Sequence, residues 1–403
     1  MTSREALLKG GEDGEALVSG EPEKSALIDV LGADADPHMP PKKQFSAADI
    51  ETLRGWIKDG APWDAAALKS QPSTPRTVAL HPLPLGYHPC LAMALTPDGS
   101  RLAAGCGSEV ILFDATSKEP KILARGTAHP DTVQSLAWSP DGKHLVSGAF
   151  RRAVVWNPES LQPEHEISDG LTDRVTAVRF LPDGKQIVIA DGRASEEGTL
   201  RIADIETAMI TASWPAHGDM LYDLAVSPDG KMLATAGGDK LIKLWNLETH
   251  EETARLEGHV AQVLAIGFDA NGEQLVTGGA DLQLKVWDVK SKERTNSLGT
   301  HTSAINSAMW ISAGPAVLAV TDAGDLIRYT DIKPGSGAQS GESSQERRFE
   351  SADDALCCLA ATNNGEHIFA GSHDGRIFVW NKDGKITARI NPSELRVTAA
   401  IQP

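Results

Sequence analysis

The sequence predicts an all-β fold, a seven-bladed propeller with a short α-helical segment in front of it, and three observations carry that expectation. A tight turn of the form Pro-Asp-Gly, intact or decayed, recurs with its glycines at Gly99, Gly142, Gly184, Gly230, Gly272, Gly314 and Gly365. Successive glycines are 42 to 51 residues apart, the period of a four-stranded blade rather than of a helical repeat. Apolar runs of strand length flank each turn. Finally, 37 glycines and 23 prolines against 5% aromatics suit many short strands and turns, while 41% hydrophobic and 23% charged residues are ordinary globular values. At 403 residues, two units or one large repeat-built domain are expected.

Residues 1–60 read differently, with helical spacing in place of alternation. Ser46 is a good N-cap and Asp49 completes a near capping box. Ile50, Leu53, Trp56 and Ile57 then share one face until Gly60 ends the helix. A second helix is expected over residues 23–31. Between the two lies a loop, residues 34–41, in which Pro40 and Pro41 fix the backbone just after Met39. Residues 61–75, rich in Ala, Ser and Pro, read as a linker, and the propeller is expected over residues 76–403.

Within the propeller, each unit reads as a three-strand meander. Leu136-Ala137-Trp138 precedes one turn, His144-Leu145-Val146 follows it, and Ala153-Val154-Val155-Trp156 comes next. A fourth, more polar run, such as residues 251–256 or 292–298, fits a solvent-facing outer edge. Residues 193–198 lengthen a hairpin in the third unit, and the Gly- and Ser-rich stretch 333–344 is an insertion before the sixth unit's outer strand. Either residues 77–80 or residues 386–390 could supply the last outer strand. The run Arg396-Val397-Thr398-Ala399-Ala400 nearly repeats Arg174-Val175-Thr176-Ala177-Val178, the mark of an abandoned eighth unit.

The strands Leu241-Ile242-Lys243-Leu244-Trp245-Asn246 and Leu284-Lys285-Val286-Trp287-Asp288 carry Trp-Asp-type pairs, and Gly258-His259 precedes the second. On these residues the chain resembles WD40 repeat propellers. That resemblance makes His217, Thr235, Asp239 and Trp245 one structural tetrad, and His259, Thr277, Asp281 and Trp287 another. A buried indole N–H and a buried imidazole both need partners, which Thr and Asp can supply. These residues are therefore expected to be structural and not catalytic. Other units have decayed: Asp374 and Trp380 remain in the last, Trp156 lacks its Asp, and Tyr329 stands where the sixth Trp belongs.

Lys9-Gly10-Gly11, Ser25-Ala26-Leu27-Ile28, His38-Met39-Pro40-Pro41 and Gly60-Ala61-Pro62-Trp63 resemble the C-terminal half of planctomycete-type cytochrome c domains, several of which are fused to WD40 propellers. The resemblance implies that Met39 is the sixth ligand of a c-type haem, a ligation that raises the iron's potential. The Cys-x-x-Cys-His attachment motif is nowhere in the sequence, so the chain as given is expected to hold no cofactor. Two readings stay open: a chain shortened at its N-terminus, which the one-sided helix at residues 46–60 favours, or a decayed remnant that has lost its haem.

The net charge of −17 argues against duplex binding, which needs clustered Lys and Arg. Acidity of this size is expected to keep a large β-protein soluble and monomeric. No run of 18 apolar residues exists, so no membrane span is expected, and the N-terminus lacks a secretory pattern. Cys90, Cys106, Cys357 and Cys358 show no metal or redox spacing and are expected as small buried groups. His81, His88 and Cys90 form one weak metal-capable cluster. His165-Glu166 begins like a zinc-protease motif, but Asp169 holds the second His position. No phosphate-binding Gly-Lys loop and no Gly-x-Ser-x-Gly turn occur.

The expected function is therefore a non-catalytic scaffold that binds a protein partner. Its complete form would carry a haem, pass electrons and reside outside the cytoplasm, an expectation taken from the cytochrome resemblance. The competing expectation is a propeller enzyme using channel-mouth carboxylates, recognisable by convergent Asp and Glu with raised pKa values.

Overall fold

The computed structural model describes residues 17–31, 46–62, 88–117, 120–311, 316–333 and 344–395. The chain divides into two compact units, Met1–Ala79 and Leu80–Pro403. Met39, His81, Gly314, residues 77–80, residues 396–400 and the linker beyond Pro62 lie outside the described residues.

In the first unit, helix α1 (Ala26–Asp29) follows a 3-10 turn at Pro22–Lys24, and helix α2 spans Ala47–Lys58. Ser46 Oγ accepts from the Asp49 amide at 3.2 Å and Asp49 Oδ2 accepts from the Ser46 amide at 3.1 Å, a full capping box. Gly60, at φ +88°, turns the chain out of the helix. The first helix is shorter than the expected 23–31. Pro22 opens a 3-10 turn, and Ser25 Oγ accepts from the Val18 amide at 2.9 Å and reaches the Glu21 carbonyl at 3.1 Å, interrupting the ladder. Leu17, Ile28, Ile57 and Ala61 form a small core, with Leu27, Leu53 and Trp56 packed partly against it.

The second unit is a propeller of seven four-stranded antiparallel sheets, each built from four consecutive strands. Blade 1 comprises Cys90–Leu95, Arg101–Cys106, Glu109–Asp114 and Lys121–Gly126; blade 7 comprises Leu356–Ala361, His367–Ser372, Ile377–Asn381 and Ile386–Ile390. The choice the sequence left open thus falls to Ile386–Ile390, whose alternation of exposed and buried residues matches that of the fourth strand of blade 4, Glu252–Leu256.

The Pro-Asp-Gly turns form as their residues dictate. The described turn glycines sit at φ between +66° and +73°, where a Cβ is strained. Where an aspartate precedes the glycine, as at Asp98, Asp141, Asp183 and Asp229, it accepts from nearby donors: Asp141 takes Ser139 Oγ at 2.7 Å and the Lys143 amide at 3.1 Å. Bonds from Thr96 and Ser100 hold the Asp98 carboxyl down at about 2.

Seven hydrophobic cores lie between neighbouring blades, one at every seam, including the seam between blades 7 and 1. Among the described residues no strand crosses from one blade to the next, and the blades meet through side-chain packing and side-chain hydrogen bonds. Closure covers the sheet edges that an open array would expose.

Candidate functional site

The two complete tetrads are hydrogen-bonded relays that tie the second and third strands of a blade to the chain arriving from the blade before it: His217 ends the outer strand of blade 3, and His259 lies in the connection from blade 4 to blade 5. In blade 4, Trp245 Nε1 donates to Thr235 Oγ1 at 3.0 Å, Thr235 Oγ1 lies 2.8 Å from His217 Nε2, and His217 Nδ1 lies 2.8 Å from Asp239 Oδ1. The carboxylate assigns the proton to Nδ1, leaving Nε2 to accept from the threonine hydroxyl. Blade 5 repeats this with Trp287 to Thr277 at 2.9 Å, Thr277 to His259 at 2.9 Å, and His259 Nδ1 to the Asp281 oxygens at 2.9 and 3.0 Å. Asp281 also accepts from the Val260 amide and faces Lys285 Nζ at 3.6 Å. Burial pushes the Asp281 carboxyl up, but Val260 and His259 bring it below its ordinary value. Every hydroxyl and imidazole in these relays is internally satisfied, so none is left as a nucleophile or base facing substrate.

The decayed units solve the same problem by other means. In blade 2, His129 Nε2 reaches Ser147 Oγ at 2.6 Å, and Trp156 Nε1 donates to the same hydroxyl at 2.7 Å. The missing member is the acid: Phe150 precedes Arg151 at φ +54°, as Asp281 precedes Leu282 at φ +64°, and His129 Nδ1 has no partner among the described residues. In blade 6 the longer Tyr329 carries its own hydroxyl to His301 Nε2 at 2.9 Å, so no threonine is needed between them. Blade 3 places Ile189 opposite Arg201 and Ala203 opposite Ile187, the register positions of Thr235 and Trp245, and packs them as core. In blade 7, Trp380 donates to the Glu350 carbonyl at 2.7 Å while Asp374 binds Ser372, so the two surviving family residues join no common relay. His129, Ser147 and His301 escaped the sequence reading. The signal was present, since His129 precedes Ser147 by 18 residues, as His217 precedes Thr235 and His259 precedes Thr277.

The surface open to ligands lies at the channel mouth on the Pro-Asp-Gly side, a cavity of about 850 Å³ to which the inner strands of all seven blades contribute. Its walls combine apolar and aromatic side chains, Met93, Trp138, Phe180, Phe268 and Met309 among them, with polar ones in nearly equal measure, including Ser139, Ser307, Asn364 and His367. An ion pair lies among them: Arg179 Nη2 donates to Asp223 Oδ1 at 2.8 Å. Asp223 also accepts from the amides of Leu224 at 2.9 Å and Ile266 at 3.1 Å. Burial raises the Asp223 carboxyl above its ordinary value, with Arg179 opposing. Trp138 Nε1 donates to the Ala94 carbonyl at 3.1 Å, whereas Trp310 Nε1 is buried and has no acceptor among the described residues.

Asp98 and Asp223 are the acidic residues lining this mouth. Asp98 is tied into its own turn and Asp223 is bound by a guanidinium and two amides, so the convergent, proton-sharing carboxylates of an acid-base site are not formed by this pair. Elsewhere, His88 Nδ1 packs over Gly107, while Cys90 turns into the seam between blades 7 and 1. No described helix is long and apolar enough to cross a membrane.

Comparison with known proteins finds the WD domain, G-beta repeat, at residues 120–157, 209–246, 250–288 and 343–381, and the planctomycete cytochrome C family at residues 1–43. The chain is similar to WD repeat-containing protein slp1 of Schizosaccharomyces pombe, with 29% identity over 160 residues, covering 38% of this chain and 32% of that protein. WD repeat-containing protein 3 of Mus musculus is 26% identical over 118 residues, 29% of this chain and 12% of the relative. Target of rapamycin complex subunit LST8-1 of Arabidopsis thaliana is 25% identical over 202 residues, 38% of this chain and 65% of the relative. The match thus spans a third or less of the first two relatives' own length.

Proposed function

From a chain that carries WD40 repeats on a seven-bladed propeller, we propose that the molecule is a non-catalytic scaffold whose channel mouth on the Pro-Asp-Gly side seats a protein partner. The observation that carries this reading is the 850 Å³ mouth itself, in which aromatic and aliphatic side chains such as Phe180, Phe268 and Met309 alternate with polar ones around the Arg179–Asp223 pair. Such a mixed cavity favours insertion of a partner side chain, packed by the apolar walls and oriented by the polar groups between them. Relatives named as WD repeat proteins and as a complex subunit support the general role.

The test is a pair of folded variants. Phe268→Glu combined with Met309→Glu places two charges in the mouth and is expected to weaken partner binding at least about 100-fold, the cost of desolvating unpaired charge. Met209→Glu, at a residue 65% exposed and not among those lining the mouth, is expected to leave binding unchanged. Partners would be identified by crosslinking the full chain in its source cells and measured with the purified partner. Equal binding by wild type and the mouth variant removes the mouth from the function.

The finer reading concerns the first unit. Taken alone, this chain's residues do not fit a c-type haem: all four cysteines fall at positions 90, 106, 357 and 358, and none stands in an attachment motif. The match of residues 1–43 to planctomycete cytochrome C supports a chain whose haem-attachment residues lie outside this sequence, with Met39 as sixth ligand, electron transfer as the role and an extracytoplasmic site. The reading frame upstream of the Met1 codon tests this. A signal peptide and Cys-x-x-Cys-His are expected there; an immediate stop codon leaves only the scaffold.

A further inference from the structure

Cys90, Cys106 and Cys358 come from distant parts of the chain and meet in one place, the seam between blades 1 and 7. Cys90 and Cys106 face each other on adjacent strands of blade 1. Cys358, on the inner strand of blade 7, donates through Sγ to the Cys90 carbonyl at 3.3 Å. A Cβ built at Gly371 would lie 2.6 Å from Cys90 Sγ and 2.7 Å from Cys358 Sγ, so the two sulfurs are at most about 5.3 Å apart. Only a glycine at 371 leaves them room. Cys357, on the opposite strand face, is half-buried, and burial first, then neighbouring Cys358, push its thiol up to about 12.

This seam joins the first blade to the last, and among the described residues it is held by side-chain contacts with no shared strand. We propose that Cys90 and Cys358 form a disulfide across it, sealing the ring, when the chain meets a small-molecule or protein disulfide as oxidant.

The chemistry balances. Cys358, 8% exposed against 0% for Cys90, loses its proton and attacks the oxidant's S–S bond. One oxidant thiol leaves and a mixed disulfide forms on Cys358. Cys90 then loses its proton and attacks Cys358 Sγ, releasing the second oxidant thiol. The protein gives up two electrons and two protons, and the oxidant becomes two thiols. Rotation about χ1 brings the sulfurs to bonding distance. Hydrogen bonding with Cys106 and Cys358, and then burial, hold the Cys90 thiol well above its ordinary value, so closure is slow and accelerates as pH rises.

The ends of the bond are 268 residues apart, so the cross-link removes a large loop-closure entropy from the unfolded chain. The experiment incubates the full chain with oxidised glutathione, then denatures and alkylates it. Reduced protein takes up four alkyl groups; oxidised protein is expected to take up two, with a non-reduced digest joining the peptides of Cys90 and Cys358. The melting temperature should rise by roughly 10 °C. Cys106→Ser is expected to fall from three alkyl groups to one on oxidation with the wild-type rise in melting temperature, whereas Cys358→Ser keeps its melting temperature unchanged by oxidant. Uptake of four groups after prolonged oxidation, or a wild-type cross-link joining Cys90 to Cys106 or Cys357 to Cys358, overturns the proposal.

Discussion

Replacing Asp281 with alanine is expected to destabilise the propeller by about 3–5 kcal/mol, the cost of leaving buried charge and donors without their partner. The Asp281 side chain is 1% exposed and holds His259 Nδ1 and the amides of Val260 and Gln283. It also faces the ammonium of Lys285, itself 3% exposed. Removing the carboxylate strands all four at once, where water cannot replace it. Asp239 in blade 4 has the same relay role but is 19% exposed, and the neighbouring Lys243 keeps Glu252 at 3.4 Å and the Ala216 carbonyl. Asp239→Ala is therefore expected to cost about 1–2 kcal/mol. Urea unfolding followed by tryptophan fluorescence separates the two. Equal losses would mean that both aspartates act only as turn formers, independent of what is buried behind them.

That contrast between two relays identical in sequence shows where residue patterns stop informing. Turn spacing and the Trp-Asp pairs make seven blades and two relays legible, because both depend on residues a short, fixed number of positions apart in the chain. The relay of blade 2 was legible in principle, through the 18-residue step from His129 to Ser147, but a search keyed on Trp with Asp passes over it. Tyr329 was read as decay, although its hydroxyl reaches His301 where an indole would need Thr as intermediary.

Contacts between blades are a different matter. Arg179 and Asp223 are 44 residues apart, and Cys90 and Cys358 are 268 apart. Nothing local in the chain records that these pairs meet; closure of the ring brings them together. The same holds for the channel mouth, whose wall draws a few side chains from each inner strand. In the first unit, the capping box at Ser46 and Asp49 was readable, while the shortened helix at Ala26–Asp29 was not. Its limit is set by a Ser25 hydroxyl bond back to residue 18, which helical spacing does not reveal.

The missing acid of blade 2 has its own consequence in solution. In blade 5, burial depresses the His259 imidazole and Asp281 partly offsets it. His129 has Phe150 where the acid would stand, so burial first, and then the nearby Arg152 charge, lower its pKa from 6.5 to about 4. A base whose folded pKa is depressed favours the neutral form in the native state. Its contribution to stability is complete above pH 6.5, the unfolded value, and is lost as pH falls from there towards about 4. At about 1.4 kcal/mol per unit, that gap corresponds to a loss of about 3 kcal/mol. His259 and His301, also lowered chiefly by burial, act in the same direction. Below pH 4 a second loss begins, as turn carboxylates such as Asp98, held down at about 2, take up protons that the unfolded chain binds more readily. Urea midpoints should therefore hold from pH 7.5 to about 6.5 and then fall towards pH 4.5, with blade 2 amides losing hydrogen-exchange protection first. His129→Gln is expected to be less stable than wild type at pH 7.5, yet to have a shallower pH dependence, so that the two curves converge near pH 4. Parallel curves would mean that His129 takes no part in the acid response. The family relay then reads as more than a brace for tryptophan: its aspartate also buffers a buried imidazole against acid, and the blade that lost it becomes the one through which acid opens the ring.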